Sequence, residues 1–405
     1  MELYVPLNPP EVRVYDLNAS GDAAAKRTIT FNPDTLSYAL ITDVALDNAR
    51  NLYLCVPEDN KVLVYGPDAD GTAVPIRVIA GDQIHLGARS VALDSAGNLY
   101  SANGDGSVTV YPPDANGNAA PVRIITDLRT EPGGFRHEIA IDSQDYLYYS
   151  QSPNSSISVY APGAWGAAPP VRRIQGPRTG LQGPSEMDFD AEDNLYVANG
   201  VNVLVFGPWA NGNAAPIRVI SGDRTGFRSA PTLAVDPAGM LFVGAWEIDS
   251  VADHVNVFAA GADGNTPPVR TIIGFPGFTS VRTMAIDKPR TPPTQLRLTL
   301  PGSVDRVIGR APVDGKGWIW RPGRPPIPIP GPGEWAPMPA DTRDAIIGLV
   351  LDDLASLIPD AETRTNVRIE LLNGVLANVD RLRRSTKEGQ DAHPTAPRGR
   401  VVGSC

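Results

Sequence analysis

The sequence predicts an all-β fold, a six-bladed β-propeller of four-stranded blades, and three observations support this prediction. First, an aromatic residue is followed six residues later by glycine and after six more by arginine, and this pattern occurs six times. Its copies are Tyr15-Gly21-Arg27, Tyr65-Gly71-Arg77, Tyr111-Gly117-Arg123, Tyr160-Gly166-Arg172, Phe206-Gly212-Arg218 and Phe258-Gly264-Arg270. Second, the aromatics are 50, 46, 49, 46 and 52 residues apart, a period typical of repeat architectures. Third, short apolar runs alternate with turn signals, which is typical of all-β proteins.

Each repeat is predicted to contain four strands, as residues 86–125 illustrate. Residues 90–93 form an apolar strand that ends at Asp94, and residues 98–101, 108–111 and 121–125 supply the next three strands. Asp, Asn and Gly fill the connections because they tolerate positive φ or bond to their own backbone. Six such units arranged radially make a propeller, which leaves only short sheet edges.

Two positions of the unit recur along the chain. The second strand begins with leucine and an aromatic residue, as Leu52-Tyr53, Leu99-Tyr100, Leu147-Tyr148, Leu195-Tyr196 and Leu241-Phe242. The first strand ends at an aspartate, found as Asp47, Asp94, Asp142, Asp190, Asp236 and Asp287. A residue at a fixed offset in every blade meets the same surroundings six times. We therefore assign the repeated aspartates and arginines to the scaffold, as turn braces and inter-blade contacts.

The two ends of the repeat region are expected to complete one blade together. Residues 3–5, 12–15 and 26–30 match a second, third and fourth strand without a first. Residues 281–286 match a first strand without a second. Pairing them closes the ring, so residues 1–287 are predicted to be one domain.

The repeated sequence pattern resembles that of the NHL-repeat propellers and their bacterial relatives of the SMP-30 and gluconolactonase group. The residues that carry it are Asp-x-x-Gly-Asn-Leu-Tyr at 94–100 and Val-Tyr-x-Pro-x-Ala-x-Gly-x-x-x-Pro-Val-Arg at 110–123. The resemblance implies a propeller over about 70% of the chain. For activity it implies either a metal-dependent lactonase or lyase, or a sensor or adaptor module.

Residues that vary between blades at the channel end of the first strand are the candidate ligand-facing ring. They are Asp43, Arg89, His137, Glu138, Glu186 and Arg282. Asp188 stands where the other five blades have alanine, and strand alternation places it on the face of Glu186. Burying a carboxylate there requires a partner. Asp188 therefore either bonds locally to fill a gap or belongs to a functional site.

Glu138, Glu186 and Asp188 are the candidate metal ligands, and their oxygens would favour Ca²⁺ or Mg²⁺. A carboxylate of this set would alternatively act as a general base, with His137 carrying a proton. The enzymes that the sequence resembles use a Glu/Asn/Asp set on several blades, and only these three positions match it. The long connection at residues 245–254 adds Trp246 as a candidate partner contact or lid. Trp165 and Trp209 replace small residues in neighbouring turns and would either bind a sugar or protein or be covered by the chain's own C-terminal segment.

The composition changes after the propeller. Residues 288–339 are rich in proline and glycine, which favours extended geometry without regular ladders. Residues 340–384 show two stretches of helical periodicity and are predicted to form a helical hairpin for assembly, as in a homo-oligomer. The polar tail, residues 385–405, is predicted to be disordered.

Bulk properties restrict the partners. The net charge of −10 disfavours nucleic acid, and the absence of a long apolar run predicts no membrane span. The first residues lack the features of a secretory signal and the chain has only two cysteines, so we expect a cytoplasmic location. The preferred interpretation is a non-catalytic recognition or scaffolding protein with a protein, small-molecule or carbohydrate ligand. The alternative is a metal-dependent hydrolase or lyase of the SMP-30 type.

Overall fold

Six four-stranded antiparallel sheets follow one another along Met1–Pro292 of the computed structural model, which confirms the predicted propeller. The structure describes residues 1–329 except 8–10, 32–39, 82–88, 127, 129–137, 153, 228–231, 246–253, 274–280, 282, 289–293, 299–305, 312–316 and 322–323. The predicted hairpin at 340–384 and the tail at 385–405 lie outside this part. No helix in the described residues has the length and hydropathy needed to cross a bilayer.

The blades are numbered one to six along the chain by their innermost strands, and each is given from the channel outward. Blade one contains Asp43–Leu46, Leu52–Val56, Lys61–Tyr65 and Arg77–Ala80. Blade two contains Ser90–Leu93, Leu99–Ala102, Val108–Tyr111 and Arg123–Ile125. Blade three contains Ile139–Ile141, Leu147–Gln151, Ser156–Tyr160 and Arg172–Gln175. Blade four contains Pro184–Phe189, Leu195–Asn199, Asn202–Phe206 and Arg218–Ile220. Blade five contains Thr232–Val235, Leu241–Ala245, His254–Phe258 and Arg270–Ile272. Short 3-10 turns lie at Pro57–Asp59, Pro177–Thr179 and Asp223–Thr225.

Blade six joins the two ends of the repeat region, as the sequence predicts. Its strands are Ala285–Ile286, Glu2–Leu7, Glu11–Asp16 and Arg27–Thr30. Leu3 pairs with Ile286 and Tyr4 with Ala285, in antiparallel register. The innermost strand is shorter than the predicted residues 281–286, because only Ala285 and Ile286 have ladder partners. The ring is therefore closed by main-chain hydrogen bonds between segments almost 300 residues apart.

The inner strands of each blade are buried on both faces, because each blade packs between two others. In blade one, Leu52, Leu54 and Val56 pack towards blade six, whereas Tyr53 and Cys55 pack towards blade two. Successive side chains of a strand point to opposite faces, so one strand contributes to two cores. This explains why the second strand reads as a continuous apolar run without polar alternation.

The glycine of the repeat pattern lies where neighbouring blades meet. Gly117 pairs in parallel with Ile79 of the preceding blade, and its amide donates to the Val78 carbonyl at 2.7 Å. Its φ of +59° is a conformation that glycine adopts without steric cost. The other five glycines make the same bridge; Gly71 does so within a two-residue strand, Gly71–Thr72.

The arginine of the pattern braces the same junction. Arg77 donates to the carbonyls of Pro113 and Ala115 in the next blade at 2.6 and 3.2 Å, and to the Tyr53 hydroxyl of its own blade at 2.7 Å. Equivalent bonds to the next blade run from Arg27 to Pro67 and Ala69, from Arg123 to Ala164, from Arg172 to Pro208 and Ala210, and from Arg270 to Ala19. The planar guanidinium suits this task because it donates in several directions at once.

The repeated aspartate closes the turn after the innermost strand. The Asp94 carboxylate accepts from the amides of Ala96 and Asn98 at 3.0 and 2.8 Å and from the Asn98 side chain at 2.8 Å. Asp47, Asp142, Asp190 and Asp236 accept from their own turn amides in the same way. The predicted scaffold role is confirmed for these aspartates and for five of the six arginines, whereas Arg218 bonds Tyr196 of its own blade.

Pro293–Cys405 form the second unit, which contains a four-stranded antiparallel sheet. Its strands are Thr294–Leu298, Arg306–Ala311, Gly317–Arg321 and Arg324–Ile329. Regular ladders therefore form in a segment that the sequence predicts to lack them. The prolines of these four strands are all in Arg324–Ile329, which is an edge strand, and an edge tolerates residues that donate no ladder hydrogen bond.

Candidate functional site

A ring of polar residues lines the channel four positions before each repeated aspartate. Its members are Asp43, Ser90, Glu138, Glu186, Thr232 and Thr283, one from each blade. Three of them accept a hydrogen bond from a main-chain amide of the next blade. These bonds join Asp43 to Val91 at 2.8 Å, Ser90 to Ile139 at 3.0 Å and Glu186 to Leu233 at 3.0 Å. The ring therefore satisfies amides of the innermost strands that face the channel.

Thr283 connects two carboxyl groups that belong to opposite blades. Its hydroxyl lies 2.9 Å from Asp43 Oδ1 and 3.2 Å from Glu186 Oε1. The Thr232 hydroxyl also contacts Glu186. Burial raises the pKa of Glu186 to about 8, and the Asp43 charge adds to this effect, whereas hydrogen bonds from Thr232, Leu233 and Thr283 oppose it. Burial likewise raises the pKa of Asp43, against hydrogen bonds from Val91 and Ser90. Adjacent acidic groups in a narrow channel therefore hold a proton more tightly than free carboxylates.

Asp188 has the partner that its position demands. Both of its carboxylate oxygens lie 2.6 Å from Lys288 Nζ, and Oδ2 also accepts from the Val235 amide at 2.7 Å. Lys288 donates a further bond to the Phe189 carbonyl at 2.9 Å. The lysine follows blade six and the aspartate belongs to blade four, so the ion pair ties two blades that are not adjacent. Asp188 is thus paired within the scaffold, as its gap-filling interpretation requires, but its partners come from distant parts of the chain.

The channel encloses a cavity of about 100 Å³ among the innermost strands. Its polar lining includes Asp43, Glu138, Glu186, Asp188 and Lys288. About 10–15 Å³ of this kind of volume holds one water molecule, so the cavity has room for several waters.

The structure brings together four of the eight predicted site residues. Asp43, Glu138, Glu186 and Asp188 line the channel, and Arg89 is exposed immediately before the innermost strand of blade two. His137, Trp246 and Arg282 lie outside the described residues. Within the described part of the chain, no group of three or more His, Cys, Asp or Glu side chains has an arrangement that could hold a metal ion.

Sequence reasoning missed four residues of this channel: Ser90, Thr232, Thr283 and Lys288. The three hydroxyl residues occupy the register position of Asp43 and Glu186, so comparison of that position in every blade would have found them. Lys288 follows a repeated aspartate where the other blades have Asn48, Ser95, Ser143, Ala191 and Pro237. Its charge at that position was an available signal.

The outer turns of blades three and four carry the two exposed tryptophans. The Trp165 residue is 74% exposed and Trp209 is 45% exposed. The Trp209 ring lies over the Arg172 guanidinium at 5.2 Å, so it covers an inter-blade brace. Trp165 precedes the bridging glycine Gly166 and projects further into solvent.

Comparisons with known proteins found solved structures of low sequence identity to this chain. No protein-family model and no curated protein matches the sequence. A Bacteroides caccae protein of unknown function is similar to it, with 10% identity and a TM-score of 0.48 over 70% of this chain and 97% of that chain. The WD40 β-propeller domain of Doa1 is 14% identical with a TM-score of 0.39, over 72% of this chain and 83% of that one. The blade assignment here stands on the strand pairing of the chain itself.

Proposed function

We propose that this protein is a non-catalytic recognition or scaffolding module that binds a protein partner through the outer turns of blades three and four. The observation that carries the proposal is that Trp165 is 74% exposed to solvent. It lies on a turn that is held in place by hydrogen bonds to the preceding blade. Tryptophan is enriched among the residues that dominate binding energy at protein interfaces.

The turn that carries Trp165 is held rigidly. The Gly166 amide donates to the Ile124 carbonyl at 2.7 Å, and the Thr126 amide donates to the Gly166 carbonyl at 2.8 Å. Arg123 adds a bond to the Ala164 carbonyl at 3.3 Å. A side chain presented on fixed backbone loses less conformational entropy on binding, which favours affinity.

Exposed apolar side chains on neighbouring outer strands favour a protein over a sugar. Val122 of blade two and Ile217 of blade four are both 57% exposed. The same position is exposed in blades one and five, as Ile76 and Val269, so apolar side chains recur on the outer edge of the ring, and such groups suit the apolar core of a protein interface.

The hydrolase alternative has less support from the channel. Glu186 and Asp188 already accept main-chain hydrogen bonds across a blade junction, and Asp188 is neutralised by Lys288. Assembly through residues 340–384 remains part of the proposal. Deletion of residues 340–405 is expected to change the number of chains per particle, as measured by the mass of the particle in solution.

The proposal is tested by affinity capture with Trp165→Ala, using Val201→Ala as the matched control. Val201 is 58% exposed on the hairpin of blade four at the opposite face. The partner retained by the native chain is expected to be lost with Trp165→Ala and kept with Val201→Ala, and both variants should melt like the native protein. A partner that binds both variants equally would disprove a recognition role for this turn. Retention of glycans instead of protein on the same surface would contradict the choice of partner.

A further inference from the structure

The residue before the bridging glycine caps the preceding blade in four of the six turns. Its side-chain oxygen accepts from the amide that follows the repeated arginine. The four bonds are Asp70 to Thr28 at 3.0 Å, Asn116 to Val78 at 3.0 Å, Asn211 to Arg173 at 3.1 Å and Asp263 to Val219 at 2.9 Å. The scaffold therefore uses an Asp or Asn at this position to satisfy a main-chain donor of an outer edge strand.

Trp165 occupies this position in blade three, opposite the Ile124 amide. An indole has one N–H donor and no acceptor, so it cannot make the cap. The backbone of the turn is unchanged: Gly166 has a φ of +58°, against +59° for Gly117 in the capped turn. The replacement thus removes one structural hydrogen bond and leaves the rest of the turn intact. Ser20, at the same position before Gly21, makes no such bond but carries an oxygen that can accept, so Trp165 is the one residue of the six that cannot make the cap. A local rule broken in this way is typical of a functional position.

We propose that a partner supplies the missing oxygen, as an aspartate side chain of an extended peptide whose neighbouring apolar residue packs on the Trp165 ring. This inference rests on the proposed recognition function and names the chemistry of its ligand. The four capped turns show that an Asp or Asn oxygen fits this amide at 2.9–3.1 Å. The strand is reachable, because Val122 and Thr126 on either side of it are exposed.

The strength of the cap favours aspartate over asparagine. Aspartate already makes it at Asp70 and Asp263, where the carboxylate accepts at 3.0 and 2.9 Å. An anionic acceptor bonds a main-chain amide more strongly than a neutral one. The partner is therefore expected to present an acidic side chain despite the net negative charge of this chain.

The test uses the purified full chain and a library of random linear peptides displayed on phage. We expect the native protein to select peptides with Asp beside an apolar or aromatic residue. We expect Trp165→Asn, which installs the residue found at position 116, to bind those peptides at least tenfold more weakly. The same variant should melt at a higher temperature than the native protein, because it restores the cap on Ile124.

Asn116→Ala is the matched control for the cap. It should lower the melting temperature by an amount similar to the rise in Trp165→Asn, and it should leave peptide binding unchanged. Selected peptides without an Asp preference would overturn this inference, as would equal binding to Trp165→Asn. Either result leaves partner capture through Trp165, measured separately with Trp165→Ala, as the test of the recognition function itself.

Discussion

Two glutamates of this chain show how the surroundings of a side chain set its pKa in opposite directions. Glu186 faces the channel beside Asp43, and burial with the neighbouring charge raises its pKa to about 8. Burial would also raise the pKa of Glu2, but hydrogen bonds from Lys26 and Arg27 and the charges of Arg27 and Arg50 lower it to about 2. The residue type is identical, and the cations around it decide the sign.

Glu186 should make the protein less stable as the pH rises. Its pKa in the fold lies above the ordinary value of 4.5, so the stabilisation is present below about pH 4.5 and is lost as the pH rises to about 8. Burial also raises the pKa of Asp142 to about 7, with help from the Asp193 charge, so the slope above pH 7 belongs mainly to Glu186. We expect the melting temperature of Glu186→Gln to change less between pH 7 and 8 than that of the native protein. A variant with the native slope in that interval would contradict the assignment.

The arginine hydrogen bonds that join neighbouring blades differ in number and length. Arg77 makes two bonds to the next blade and one to Tyr53, whereas Arg123 makes one long bond to the next blade and one to Tyr100. The weaker brace lies beside the turn of Trp165. Arg218 bonds only Tyr196 of its own blade, at 2.8 Å, so in the part that the structure describes the junctions after blades two and four have the weakest arginine braces.

Arg77→Ala should therefore destabilise the protein more than Arg123→Ala. A buried hydrogen bond to a charged group contributes about 1.5–3 kcal/mol. The Arg77 bonds are exposed or part-buried and solvent weakens them, so we expect a loss of about 2–3 kcal/mol for Arg77 and about 1 kcal/mol less for Arg123. Urea unfolding of both variants measures the difference. Arg77→Lys should recover only part of the loss, because an ammonium cannot reproduce the fork. Equal losses at the two positions would be inconsistent with unequal braces.

Repetition made the blades predictable from sequence, and its exceptions were harder to interpret. Strand positions in blade two were predicted to within two residues, because turn residues and apolar runs recur at fixed offsets. The partner of Asp188 was not predicted, since Lys288 lies 100 residues away and only closure of the ring brings it near. Ladder formation at residues 294–329 was missed because proline content was weighed without asking which strand would lie at the edge.

Closure of the whole ring depends on a charge cluster as well as on strand pairing. Glu2 of blade six bonds Lys26 Nζ at 2.7 Å and Arg27 Nη2 at 2.6 Å, and it contacts Arg50 of blade one. Arg50 Nε also lies 2.8 Å from Asp287, which follows the innermost strand of blade six. The cluster thus ties the strand that starts the ring, the strand that ends it and the next blade.

Glu2→Gln is expected to destabilise the ring near neutral pH by about 2 kcal/mol, since the cations around it lose the carboxylate that accepts their hydrogen bonds and balances their charge. The Glu2 pKa is lowered in the fold, so this stabilisation is present above about pH 4.5 and is lost as the pH falls to about 2. The native and variant proteins should therefore differ in urea midpoint at pH 6 and converge towards pH 2. The stabilisation from Glu2 is lost at acid pH and that from Glu186 at alkaline pH. Glu2→Gln should therefore leave the slope of melting temperature against pH unchanged between pH 7 and 8. A midpoint difference that does not change with pH would mean that the Glu2 charge does not hold the ring closed.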